Sequence, residues 1–165
     1  MSELRSLSLE LADEEATLEL GRRLGRLAPP GLLLALTGEL GAGKTTLVRG
    51  LAEGLGLDAG VVSSPTFVFV QEYPVEGHPG VEALVHIDAY RLDGPAGLPG
   101  IGWEGDGEEL RLNAVTVVEW ADRVADGLPP ERVTVSLRHR DEGREAVIED
   151  PTGLIERQRL GYEHG

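Results

Sequence analysis

The stretch Gly38-Glu39-Leu40-Gly41-Ala42-Gly43-Lys44-Thr45 fills every position of the phosphate-binding pattern G-x-x-x-x-G-K-[ST]. Just before it, Leu32-Leu33-Leu34-Ala35-Leu36 is an unbroken apolar run of strand length, as expected for a strand buried in a parallel sheet. Just after it, Leu47, Val48, Leu51 and Leu55 recur at helical spacing, and Gly54 and Gly56 offer a stop. The loop therefore has the context its chemistry needs: strand, glycine-rich turn, helix start. Glycines let backbone N–H groups converge on one anion, and the helix start adds unpaired donors and the positive end of its dipole. Lys44 can then reach the β- and γ-phosphates, and the Thr45 hydroxyl can complete the shell of a Mg²⁺ ion. The expected nucleotide-binding set is Glu39, Leu40, Gly41, Ala42, Gly43, Lys44, Thr45 and Thr46, with Mg²⁺ beside the phosphates.

Bulk properties narrow the class. A chain of 165 residues is most simply one domain, spanning 1–165. It has no cysteine, which excludes disulfides, thiolate metal sites and cysteine nucleophiles. The start, Met1-Ser2-Glu3-Leu4-Arg5, has no apolar run of signal-peptide type and no segment reaches transmembrane length, so a cytoplasmic protein is expected. The formal charge of −14 repels nucleic-acid backbones, and acids interrupt the densest basic stretch, Arg138-His139-Arg140 with Arg144. Direct, tight binding of tRNA or DNA by this chain alone is disfavoured; contact through a protein partner is not.

Ahead of the loop, Ser6 to Leu11 alternates as a short edge strand. Asp13 then fits an N-cap with Glu14 and Glu15 in the first helical turn, and Ala16, Leu20, Leu24 and Leu27 mark one helix face up to Pro29-Pro30-Gly31. Beyond the loop helix, Ser63-Ser64-Pro65-Thr66 suits either a constrained loop with a γ-phosphate-sensing hydroxyl or a plain strand entry. Phe67–Tyr73 and Ala83–Asp88 read as strands that can pair as a hairpin.

Two acids, Asp88 and Glu119, each end an apolar strand, the latter in Val115-Thr116-Val117-Val118-Glu119-Trp120. A carboxylate at the carboxyl end of a buried parallel strand lies beside bound phosphates and can hold Mg²⁺ directly or through water. Spacing does not decide which of the two touches the metal. Between them, 91–113 is a long glycine-rich connection with the character of a lid or partner surface. Ala121–Ala125 reads as a helical turn, Arg132–Leu137 and Glu145–Ile148 as a hairpin through Asp141-Glu142-Gly143, and Pro151–Leu160 as a closing helix.

Taken together, Gly38 to Thr46, Ser64-Pro65-Thr66-Phe67, His86-Ile87-Asp88-Ala89-Tyr90-Arg91-Leu92 and Val118-Glu119-Trp120 resemble the TsaE (YjeE) family. These are bacterial P-loop ATPases needed for the threonylcarbamoyl modification of adenosine in tRNA. The resemblance runs from about Asp13 to Arg144. It implies an α/β P-loop NTPase of three α/β/α layers, with a mixed, largely parallel central sheet and antiparallel edge strands. It also implies partnership with the TsaB and TsaD proteins, with tRNA reached only through that complex, which ATP binding and hydrolysis would reset. Carried over by position, Lys44 holds phosphates, Thr45 and Glu119 are Mg²⁺ ligands, Asp88 is a catalytic or metal-water acid and Thr66 belongs to a switch-like loop. Trp120 is a functional aromatic near the nucleotide, Tyr90 and Arg91 lie near the site or partner face, and Asp13–Thr17 approach adenine. The chain departs from the family at Asp93–Gly100, where a helix is expected; interior glycine and proline cost a helix about 1 and 3 kcal/mol each.

Three other readings stay open on the residues alone. A small-molecule kinase would use the same loop, with Arg138, Arg140 and Arg144 on a lid. A GTP-driven switch lacks its N-K-x-D base-reading motif here. A nucleotide-binding scaffold without turnover has the same sequence signature as an ATPase.

Overall fold

The structure, a computed structural model, describes residues 5–39, 41–58, 60, 62, 70–90, 92, 112–129, 131–151 and 153. Its elements are β1 (Arg5–Leu11), α1 (Glu14–Leu27), β2 (Leu33–Gly38), α2 (Lys44–Gly54), β3 (Val70–Pro74), β4 (Ala83–Asp88), β5 (Ala114–Glu119), β6 (Val133–His139) and β7 (Arg144–Asp150). Two 3₁₀ turns, Ala121–Arg123 and Ala125–Gly127, follow β5. Among the described residues the strands form one seven-stranded sheet in the order β1-β7-β6-β2-β5-β4-β3. Its centre, β6-β2-β5-β4, is parallel, and both flanks are antiparallel, β4 pairing with β3 and β6 with β7 and β1. This is the α/β architecture with antiparallel edges that the sequence predicts.

The sheet separates two cores. On one face, α1 and α2 cover Leu34 and Leu36 of β2, Val115 and Val117 of β5, and Val133, Val135 and Leu137 of β6. On the other, Leu33 and Ala35 of β2, Val85 and Ile87 of β4 and Val118 of β5 pack beneath Ala121, Val124 and Leu128. Both described α-helices thus share one face; among the described residues, Ala89, Leu92 and the segment holding the 3₁₀ turns cover the other. The central strand β2 contributes apolar side chains to both cores, which is why its sequence runs apolar without alternation.

Helix α1 begins where its sequence dictates. The Asp13 carboxylate accepts from the Ala16 N–H at 2.8 Å, and Glu14 and Glu15 occupy the first turn. How α1 meets α2 is less obvious from the sequence. Gly21 and Gly25 on α1 face Gly50 and Gly54 on α2 in backbone contact. A Cβ on Gly50 would lie 2.1 Å from the Leu18 carbonyl, and one on Gly21 would lie 2.3 Å from that of Leu47. Only glycine permits this approach. Gly54, expected as a stop signal, is the last residue of α2 and also a packing residue: its Cβ would meet the Arg22 carbonyl at 2.2 Å. The turn after the helix falls to Gly56, at φ 97°. Arg22 ties the two helices at the surface, bonding Glu53 at 3.1 Å and Glu15 at 2.8 Å.

The remaining expectations divide in two. The β3–β4 and β6–β7 hairpins form with the expected antiparallel pairing. The Ser63–Phe69 segment, 93–111 and the closing helix from Thr152 lie outside the described residues, so the expectations placed there are not addressed.

Candidate nucleotide site

The sheet register brings the acids to the loop. Asp88 pairs with Glu119 across β4 and β5, and Glu119 pairs with Leu36 across β5 and β2, so all three strands end together beneath the phosphate loop. Gly38, Gly41 and Gly43 hold φ values of 143°, 77° and 105°, a conformation that favours glycine. At Gly38 the requirement is also steric, since a Cβ would stand 2.5 Å from the Leu137 carbonyl. Gly43 serves as N-cap of α2 and no side chain caps that helix. Its first N–H groups therefore face the loop as donors for an anion.

One cavity of about 250 Å³ is lined by Gly41, Gly43, Lys44, Thr45, Thr46, Asp88, Glu119 and Trp120. Of the predicted residues, it gathers the lysine, both threonines, both acids and the tryptophan. Glu39 and Ala42 lie in the loop behind it: the Ala42 N–H donates to the Glu39 carbonyl at 3.1 Å. Leu40, Thr66 and Arg91 lie outside the described residues.

Lys44 is nearly sealed from solvent. Its Nζ donates to the Gly38 carbonyl at 2.7 Å and the Glu39 carbonyl at 2.8 Å, and stands 3.9 Å from the centre of the Trp120 ring. Burial pushes the ammonium below its usual pKa, opposed by the negative charges of Glu119, Asp122, Asp88 and Glu39. Trp120 itself holds φ 59° and ψ 38°, the left-handed region that costs a bulky residue about 1–2 kcal/mol. It is the one non-glycine residue with positive φ among those described. That backbone keeps its ring over Lys44 and against Tyr90, 4.8 Å between centres, while the Arg123 guanidinium lies 5.0 Å from the Tyr90 ring.

Glu119 is buried and engaged at both oxygens. Oε1 accepts from the Thr45 hydroxyl at 3.2 Å, and Oε2 lies 2.5 Å from His86 Nε2. Because a carboxylate can only accept, this contact places an imidazole proton on Nε2. Asp88 stands at the strand end, its Oδ1 accepting from the Tyr90 N–H at 2.9 Å. Helix α1 also borders the site: the Thr46 hydroxyl meets Glu14 at 3.4 Å, and a Cβ on Gly43 would lie 3.4 Å from the Thr17 methyl.

Two residues here make contacts that the sequence reading did not assign. His86 stood in a quoted motif without a role. A histidine two positions before Asp88 on an apolar strand shares its face, and that alternation was the available signal. Arg144 reaches the loop from β7, its Nη2 donating to the Gly41 carbonyl at 3.3 Å. Nothing local in the sequence joins positions 103 residues apart.

The sheet and its two described helices define an α/β protein. The family model described as "Threonylcarbamoyl adenosine biosynthesis protein TsaE" matches residues 11–147. The chain belongs to the TsaE family. It is 44% identical over 151 residues to the tRNA threonylcarbamoyladenosine biosynthesis protein TsaE of Streptomyces coelicolor, covering 84% of this chain and 91% of that protein. The Bacillus subtilis protein of the same name is 35% identical over 152 residues, covering 88% and 86%. The crystal structure of Bacillus subtilis YdiB superposes with a TM-score of 0.73 at 29% identity, over 98% of this chain and 97% of that one.

Proposed function

We propose that this protein is a Mg²⁺-dependent ATPase of tRNA threonylcarbamoyladenosine biosynthesis, acting in the cytoplasm with TsaB and TsaD and meeting tRNA through that complex. The observation that carries this reading is the uncapped start of α2, opening onto one cavity with Lys44, the Thr45–Glu119 pair and Asp88. Polyphosphate binding follows from converging N–H donors and one ammonium group. Lys44 would exchange its two carbonyl acceptors for phosphate oxygens, a short movement for a side chain already pointed into the loop.

The donor set fits Mg²⁺. A hydroxyl and a carboxylate oxygen side by side are hard ligands, and Mg²⁺ commonly takes one or two protein oxygens and completes its shell with phosphate and water. Thr45 and Glu119 would hold the ion, which when bound neutralises developing charge on the phosphates. His86 fixes the Glu119 carboxylate from behind. Asp88, anchored by the Tyr90 N–H, is placed to accept a proton from, or orient, an attacking water.

The small-molecule kinase alternative needs an acceptor-binding insertion. The β6–β7 hairpin turns within residues 140–143, which leaves no insertion there to fold over a second substrate. Phosphate release from ATP by the full-length protein, with and without TsaB–TsaD, tests the proposal. Slow turnover alone and acceleration by the partners is expected; robust turnover unchanged by partners would overturn the partnership. Transfer of the γ-phosphate to a metabolite with little free phosphate would favour the kinase.

A further inference from the structure

Among the described residues, Lys44 is surrounded by acids and forms an ion pair with none. Asp88 and Glu119 line its cavity, and with Asp122 and Glu39 they make its surroundings negative. Its ammonium instead donates to the Gly38 and Glu39 carbonyls and rests 3.9 Å from the centre of the Trp120 ring. We propose that Tyr90 and Arg123 are positioning residues that hold Trp120 as a spacer, keeping the Lys44 ammonium off the carboxylates a metal would need. The metal half of this inference rests on the Mg-ATP reading given above.

The pull on the ammonium is real. It ends a flexible four-carbon stem, and unlike charges attract more strongly in a partly buried site than in water. The two carbonyls are neutral acceptors, weaker partners than a carboxylate. An ion pair with Glu119 or Asp88 would also occupy oxygens that could otherwise reach Mg²⁺. The Trp120 ring, which lines the same cavity, is the group placed to bar the way.

Trp120 does not keep that place by itself. Its left-handed backbone is strained, and such strain persists where the surroundings over-determine it. Tyr90 supplies one support, with ring centres 4.8 Å apart and planes inclined at 53°. Arg123 supplies the other. Its N–H donates to the Trp120 carbonyl at 3.0 Å, closing a 3₁₀ turn in which side chains three apart come to the same side. Its guanidinium then lies 5.0 Å from the Tyr90 ring, within cation–π range. Arg22, Arg26 and Arg140 are held by carboxylates, whereas among the described residues Arg123 is held by the ring alone.

The stack of Arg123, Tyr90, Trp120 and Lys44 therefore has a cation at each end and two rings between. It is fixed to the strands that bear the acids. The Ala89 N–H donates to the Glu119 carbonyl at 3.0 Å, and the Tyr90 N–H to Asp88 Oδ1 at 2.9 Å. Both outer members are exposed, Tyr90 by 45%, so replacing their side chains leaves the two cores intact.

Lys44 is the sole lysine of the chain, so lysine labelled with ¹³C at Cε gives one side-chain signal from the full-length protein. Without ligand, the Trp120 ring current should displace the attached protons from the position of free lysine. Tyr90→Ala and Arg123→Ala are expected to move the signal toward that position, and Tyr90→Phe, which keeps the ring, to leave it in place. The second readout is the Mg²⁺ dependence of ATP turnover. In Tyr90→Ala the Mg²⁺ concentration for half-maximal rate should rise about fivefold or more. Excess Mg²⁺ should restore the maximal rate, because the metal competes with a lysine lying on its ligands. An unmoved lysine signal in either alanine variant would overturn the proposal. So would a turnover defect in Tyr90→Ala that excess Mg²⁺ does not relieve. If the parent neither binds nor hydrolyses Mg-ATP, the ATP reading fails, and the ligand-free signal still decides whether Tyr90 and Arg123 position Lys44.

Discussion

His86 and Glu119 form a sealed pair across neighbouring strands, Nε2 to Oε2 at 2.5 Å, with the imidazole wholly out of solvent and its Nδ1 without a hydrogen-bond partner among the described residues. The pair leaves the other carboxylate oxygen facing Thr45. Removing one member of a buried, charge-bearing pair strands the other, at about 3–5 kcal/mol. His86→Leu should therefore lower the unfolding free energy by that amount, seen as a lower denaturant midpoint with an unchanged slope, and should slow ATP turnover beyond what stability explains. His86→Gln, which keeps a donor near the same place, should recover part of both. An unchanged midpoint in His86→Leu would show that the pair contributes nothing net.

The α1–α2 crossing sets a second test. Gly50→Ala puts a methyl 2.1 Å from the Leu18 carbonyl, backbone that cannot step aside without separating the helices. A loss of about 3 kcal/mol is expected by chemical denaturation, at the upper end of overpacking costs. Gly41→Ala is the control, because none of the described residues lies within 4 Å of its Cβ. Only its φ of 77° opposes the substitution, so stability should fall by about 1–2 kcal/mol. Equal losses at the two positions would contradict backbone contact between the helices.

Lys44 should separate stability from function. Burial makes its charged form the costly one in the folded protein, and so lowers its pKa from the ordinary 10.5. The sign follows: the penalty is fully present below the folded-state pKa and fades as pH rises through it toward the unfolded value. Lys44→Met is expected to match or exceed the parent in thermal stability at neutral pH while losing ATP binding. In the parent, ATP affinity should start to fall at a lower pH than titration of an exposed lysine would allow. A Lys44→Met protein that melts well below the parent would overturn this account.

Metal dependence should run through one hydroxyl. Thr45→Val keeps shape but removes the oxygen beside Glu119, so apparent Mg²⁺ affinity in the presence of ATP should fall at least about tenfold. Thr45→Ser should retain it. Chelation by EDTA should bring the parent down to the level of Thr45→Val, and a remaining gap between them would place the principal ligand elsewhere.

Much of this was legible in the sequence, for physical reasons. Gly38 to Thr45 is read locally, because each glycine answers a backbone need within the loop. Asp13, Leu20 and Leu24 announce α1 by capping and spacing, and Asp88 and Glu119 announce strand ends by the apolar runs before them. What escaped depends on distance along the chain. Gly54 ends α2 as expected, but its second role, packing on the Arg22 backbone of another helix, was not legible. His86 became significant only when register set it diagonally from Glu119, and Arg144 only when its strand brought the guanidinium within reach of the Gly41 carbonyl. Periodicity reports which face a residue takes, not which residue of another element meets it there.

The four glycines between α1 and α2 carry a consequence for how the molecule tolerates change. Where side chains separate two helices, a substitution on one can be absorbed by rotamers on the other. Here main chain rests on main chain, so a methyl added at Gly21, Gly25, Gly50 or Gly54 moves a helix bodily. Since α2 begins at Gly43, that displacement arrives at the anion seat. Drift at positions remote from any ligand is thereby translated into altered grip on the ligand.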